Sequence, residues 1–318
     1  MPRPTSTTTI QRPDLGVLAY EYLIDAPTRG FIGLQVMPVF MTPWQAADYP
    51  IIPLESLILE QDTRRSPRGG YNRGDWKFET GTYQCEEYGW EEPVDDVEAK
   101  LYTRFFDSEM VSTYIGVDRI LRGHERRVAA KVFDSADASV STEWSTAATA
   151  TPQEDIEKAR LAMRSTSGLL PNALVMGYTP FRNVLKTNEI KDALKYTNPI
   201  DLGNEDSQRS LLAQYMGVEQ IIVGGAIRNT AKKGQNFTLA DIWDDEYVAL
   251  MRVSGGGQVL REPAYGRTFL WEADSPGIVM VESYREEDIR SNIIRTRQHV
   301  AEAVVFDGAK YVLGNITA

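Results

Sequence analysis

The sequence predicts an α+β fold, and three observations predict it. Residues 106–134 set Met110, Val111, Tyr114, Val117, Ile120, Leu121, Val128 and Val132 mostly on one helical face. Residues 50–98 hold Tyr71, Trp76, Phe78, Tyr83, Tyr88 and Trp90 at near-alternating spacing around the turn signals Gly69-Gly70 and Asn72-Arg73-Gly74. From residue 169 onward, short β-branched runs alternate with polar turns and helix-like stretches.

The first 48 residues read as an irregular arm. Pro2, Pro4, Pro13, Pro27, Pro38 and Pro43 argue against long helices there. Residues 31–40, FIGLQVMPVF, read as one short strand. The arm has too few apolar residues to fold alone, so it is expected to lie across something else. It has no apolar core of a secretory signal.

Residues 50–98 then read as a long two-stranded hairpin. Such a ribbon is marginal by itself in water and exposes its edges, so it is expected to dock on a neighbouring subunit. Its charge is segregated: Arg64, Arg65, Arg68 and Arg73 gather near the tip, and Glu86, Glu87, Glu91, Glu92, Asp95, Asp96 and Glu98 lie on the returning side. A basic tip meeting an acidic patch on an adjacent copy would set register and orientation more than affinity.

The helix predicted at 106–134 is roughly 40 Å long, with Asp107 and Ser108 as candidate caps and Gly116 and Gly123 as weak points. A polar linker follows. Thr151-Pro152 with Glu154 opens a second helix that runs to about Thr166, and Gly168 stops it. The α/β unit holds Leu170–Gly177 as one strand segment and a helix-like stretch from Thr179 to Tyr196. Gly217–Trp243 supplies a second strand, a polar turn at Lys232-Lys233-Gly234 and an aromatic anchor at Trp243. Ser254–Gly257 reads as a loop, and further strands follow to the C-terminus.

At 318 residues the chain can hold two or three core-bearing units. Its net charge of −11, from 45 acidic and 34 basic residues, argues against tight phosphate binding. No apolar run approaches the roughly 20 residues that span a bilayer. Cys85 is the single cysteine, so no intrachain disulfide can form; Glu86 and Glu87 beside it disfavour a thiolate. His124 and His299 stand in no metal-ligand spacing, and no phosphate loop, nucleophile elbow or calcium loop is present. Neither a catalytic site nor a cofactor is expected.

The order of arm, long hairpin, long helix, second helix, α/β unit and returning strands resembles the Hong Kong 97-like fold of tailed-bacteriophage major capsid proteins. The resemblance rests on Leu170–Gly177, on Gly217–Ala226 with Asn229, Ala231, Gly234, Ile242 and Trp243, and on Ser283-Tyr284-Arg285 with Asp288 and Arg290-Ser291. It implies an N-arm at 1–48, an E-loop at 49–98 and a P domain with its spine helix at 99–168. An A domain would cover 169–265, P-domain return strands 266–300, and an A-domain closing segment 301–318.

The function implied is a shell that self-assembles into hexamers and pentamers and encloses double-stranded DNA without reading its sequence. The shell would form in the host cytoplasm and reside in the virion. The implied intersubunit residues are Arg64, Arg65, Arg68, Tyr71, Arg73, Trp76, Glu86, Glu87, Glu91 and Glu92. A scaffolding protein and a portal are expected partners, and a decoration protein is compatible. The chain begins almost at the arm, so a separate scaffolding protein is expected, or proteolytic removal has no role. Lys77 matches no crosslinking motif. A second reading is an encapsulin-like cellular compartment; a third, an enzyme with a non-standard site, finds no residue in its favour.

Overall fold

Two β-sheets share one long helix and the chain's N-terminal segment. The structure, a computed structural model, describes residues 10–51, 60, 62–74, 79–194, 204–232, 234–260 and 262–317. Strand β1 (Ile10–Gln11) leads into helix α1 (Pro13–Asp25), the short helix α2 (Gly33–Val36) and strand β2 (Val39–Thr42). Next come β3 (Ala46–Ile51), β4 (Glu79–Gln84), β5 (Glu86–Asp95), α3 (Asp96–Tyr102) and α4 (Ser108–Val132). The middle of the chain adds β6 (Ala138–Ser139), α5 (Pro152–Ser167), β7 (Ala173–Gly177), α6 (Tyr178–Lys186), α7 (Asn188–Leu194) and α8 (Glu205–Met216). The last third contains β8 (Gln220–Gly224), β9 (Ile227–Asn229), β10 (Leu239–Asp241), β11 (Val248–Met251), β12 (Gly266–Trp271), β13 (Met280–Glu286), β14 (Ser291–Val304) and β15 (Lys310–Gly314).

The first sheet has the order β1-β13-β14-β12-β2, with β5 also paired to β14. Its axis is the 14-residue β14, which pairs antiparallel with β13, β5 and, toward its end, β12. This strand continues to Val304, across the 300/301 division. Helix α4 lies on the sheet. A Cβ at Gly116 would come within 2.4 Å of Thr296 Oγ1; the glycine that weakens the helix locally is what lets it approach β14 so closely. Asp107 caps α4, its carboxylate accepting from Glu109 N at 2.9 Å.

The second sheet has the order β6-β15-β11-β7-β8. Strands β7 and β11 are buried at every position, as their unbroken apolar sequences require. Alternate residues of β7 enter two cores. Ala173 and Val175 join the cluster of α1, α4 and Trp243, whereas Leu174 and Met176 join the cluster of Ile156 on α5 and Leu212 on α8.

The N-terminal segment departs from the irregular arm expected. Thirteen residues form α1, because Pro13 occupies the first turn, where no backbone N–H is needed. Leu15, Ala19 and Tyr22 then recur at helical spacing and are buried; the hydroxyl of Tyr22 donates to Asp118 on α4 at 2.8 Å. Too few to fold alone, these residues suffice against a long helix. Residues 31–40 divide into the turn of α2 and the start of β2, rather than forming one strand.

The hairpin is also shorter than expected. Its described stem pairs β3 with β4, Ala46 opposite Gln84 and Ile51 opposite Glu79. At Cys85 the chain leaves the ribbon, and β5 joins β14 over ten residues. The acidic returning side from Glu86 to Asp95 therefore belongs to the first sheet, and Asp96 and Glu98 belong to α3. The stretch from Thr179 breaks at Thr187 into α6 and α7, and residues 195–203 lie outside the described residues. Helix α8 was not anticipated, although Asn204 caps it and Gly217, left-handed at φ 66°, ends it.

Candidate intersubunit surfaces

The basic residues singled out by sequence lie in an exposed turn. Asp62 organises it: its carboxylate accepts from Arg64 N at 2.9 Å, and its carbonyl accepts from Asn72 Nδ2 at 2.7 Å. Arg65 donates to the Gly69 carbonyl at 2.7 Å and covers the ring of Tyr71, which is 73% exposed. Arg64, Arg68 and Arg73 are exposed as well. The turn holds four exposed arginines, of which Arg65 covers the Tyr71 ring. Trp76 falls outside the described residues.

The acidic residues divide into two groups. Glu86 and Glu87 are exposed, Glu86 accepting from the Tyr88 hydroxyl at 2.8 Å. Glu91 and Glu92 meet basic groups of their own chain instead. Glu91 pairs with Arg295 at 2.7 Å, and Glu92 with Arg119 at 2.5 Å, with the Arg119 guanidinium over the Trp90 ring. The Arg295 pair extends across the sheet: Arg295 reaches Glu282 at 3.7 Å, Glu282 reaches Arg297 at 2.8 Å, and Arg297 reaches Asp274 at 2.5 Å. Cross-strand register makes this ladder, since Glu282 and Glu91 both stand opposite Arg295.

One junction was missed by sequence reasoning. Glu125 on α4 is 2% exposed and takes three hydrogen bonds. Ile32 N and Gly33 N each donate at 2.7 Å, and the indole of Trp243 donates at 2.6 Å. Burial pushes the carboxyl above its ordinary range, against the pull of those three donors. Glu125 thereby ties the N-terminal segment, the long helix and the α/β unit at one point. The available signal was an acid set between Leu121 and Val128 on the apolar face of the helix.

Beside it the chain closes tightly. Gly30, at φ 81°, accepts from Gly225 N and Ala226 N through its carbonyl, both at 3.1 Å. A Cβ at Gly30 would lie 2.6 Å from the Gly225 backbone, so only glycine fits.

The reactive-looking residues are packed into the fold. His124 is 2% exposed, and burial takes its imidazole down to about 4. Cys85 is 1% exposed; burial first, and then Glu302, push its thiol up to about 11. His299 meets Asp274 at 3.0 Å through Nδ1, but its Nε2 faces the carbonyl of Cys85 at 3.2 Å, while the thiol itself contacts the carbonyl of Phe269. The Cys85, His299 and Asp274 side chains therefore do not form a nucleophile–base–acid relay. Among the described residues, no three His, Cys, Asp or Glu side chains are placed to hold a metal ion, and no helix is long and apolar enough to cross a membrane.

The fold is one found in phage capsid subunits. A phage-related protein from Bordetella bronchiseptica RB50 superposes with a TM-score of 0.68 at 21% identity, over 97% of this chain and 98% of that one. The capsid structure of cyanophage P-SCSP1u superposes at 0.56 with 11% identity, over 91% and 89%. In sequence, the major capsid protein of Burkholderia phage BcepMu is 27% identical over 276 residues, which is 83% of this chain and 86% of that protein. No protein-family model matches. Fold and sequence agree: this chain resembles a phage major capsid protein.

Proposed function

We propose that this chain is the major capsid protein of a tailed double-stranded-DNA phage, a structural subunit and not an enzyme. The observation that carries the reading is the sequence similarity to a phage major capsid protein along more than four-fifths of the chain, joined to a fold shared with a cyanophage capsid structure over 91% of the chain.

In the Hong Kong 97-like layout, the N-terminal segment to residue 48 serves as the N-arm and residues 49–98 contain the E-loop. Helix α4 is the spine of the P domain, and the second sheet forms the A domain. Copies assemble into hexamers and pentamers. The cationic turn at Arg64, Arg65, Arg68 and Arg73, with Tyr71, reaches an acidic surface of the adjacent copy. Glu86 and Glu87 are better suited to that contact than Glu91 and Glu92, whose charge is matched within the chain. Each contact can be weak, because a closed shell makes many at once. The net negative charge suits a wall that encloses DNA without gripping it. Assembly takes place in the host cytoplasm with a scaffolding protein and a portal; a decoration protein is compatible with the exposed surface. The encapsulin reading shares the fold, and the sequence similarity to a phage capsid protein favours the phage reading over it.

Deleting residues 64–74 tests the turn. The variant is expected to give a folded subunit with an unchanged circular dichroism spectrum that no longer sediments as shells. Intact shells from the deletion would remove the turn from the interface while leaving the shell reading in place.

A further inference from the structure

The short helix α3 carries its apolar stripe outward. Val97 and Leu101 stand four residues apart on it, and Phe105 continues the line in the turn that follows; they are 65%, 64% and 80% exposed. An amphipathic helix normally buries such a stripe. Here only the opposite side packs inward, with Ala99 against the main core. Tyr102 and Phe106 stack at 5.3 Å beside the stripe, both partly exposed, and Ile289 on the adjoining β13–β14 turn adds a sixth exposed apolar side chain.

We infer that this patch at the α3 end of the first sheet is a contact surface for a second copy of the same chain. The inference rests on the shell reading and adds to it a surface apart from the arginine turn.

Three features favour a second copy as the occupant. The first is area. Six such side chains at these exposures present on the order of 500 Å² of apolar surface, at the upper end for the largest patch on a monomer. That is more than half of the roughly 800 Å² one partner contributes to a stable interface. The second is charge. The rim mixes exposed Glu98 with exposed Lys100 and Arg104, so a copy brought up by rotation can set opposite signs together. A nucleic acid would meet Glu98 and apolar rings instead. The third is rigidity. Asp95 caps α3 through Val97 N and Glu98 N, and Asp96 holds Arg285 in a two-pronged pair at 2.7 Å. The stripe is thus held in place before any partner arrives.

The test uses the full chain carrying Phe105→Cys. Cys85 is buried with a raised pKa, so the introduced thiol is the one that reacts with maleimide. Dissociated subunits should label completely, and shells of the chain should label at least tenfold more slowly. A second variant, Phe105→Asp, should keep the subunit's melting curve and lose shell assembly. Equal labelling in shells and subunits overturns the inference, as do Phe105→Asp shells at the wild-type yield. So does protection that depends on a bound scaffolding protein and vanishes on its removal. If Phe105→Asp fails to fold, the labelling result decides. A wild-type chain that forms no shell even with a co-expressed scaffolding protein contradicts the shell reading itself, and this inference with it.

Discussion

The indole of Trp243 donates to the carboxylate of Glu125 across 118 residues of sequence at 2.6 Å, with both side chains buried. That carboxylate also receives Ile32 N and Gly33 N. Removing it strands three buried donors at once. Glu125→Ala is expected to cost about 3 kcal/mol or more in subunit stability. Glu125→Gln keeps one oxygen acceptor but turns an amide toward the remaining donors, and should fall between. Urea unfolding of dissociated subunits reads both; an unchanged midpoint for Glu125→Ala would show that the junction contributes little.

His124, the next residue, gives a pH dependence of defined sign. Its folded pKa is depressed by burial from 6.5 to about 4, so between those values the unfolded chain binds more protons than the folded one. Stability is therefore lost as pH falls from about 6.5 to about 4 and changes no further below that, for this group. The loss is about 3 kcal/mol. The groups facing the ring are Glu302 at 3.6 Å, with Arg127 beyond it, and the Thr268 hydroxyl at 3.2 Å. A His124→Asn subunit should show a correspondingly flatter stability profile across this window. Parallel profiles for the two proteins would contradict the assignment.

Cys85 should be inert. With its thiol held near 11 by burial, it stays protonated at neutral pH and hidden from reagents. Native subunits should react with a thiol reagent orders of magnitude more slowly than urea-unfolded ones. Rapid native labelling would mean that the hairpin stem opens readily, since Cys85 sits where β4 gives way to β5.

Asp107 provides a local check on the long helix. Asp107→Ala should lower stability by about 1 kcal/mol, the usual cost of a lost N-cap. A neutral result would place the helix start elsewhere.

Much of this architecture is legible in the residues. The helix over Ser108–Val132 follows from its periodic face and the acid before it, and the helix Pro152–Ser167 from its proline start and glycine stop. Strand Ala173–Gly177 follows from an apolar run and Gln220–Gly224 from a β-branched one, although nothing local says that they pair in parallel. What escaped depends on tertiary partners. Helix Pro13–Asp25 exists because a longer helix receives Leu15, Ala19 and Tyr22; proline counting alone points the other way. Glu91 and Glu92 read as free charge until β5 is placed beside Arg295 and Arg119. The junction at Glu125 joins residues near 32, 125 and 243, and no spacing rule reaches that far.

The most direct test of the shell account is negative-stain electron microscopy of the purified chain, with and without a co-expressed scaffolding protein, alongside size-exclusion chromatography. The account predicts closed icosahedral shells or curved sheets eluting far above the 35.7 kDa subunit. A small closed oligomer that never forms curved sheets, even with the scaffolding protein present, would contradict it.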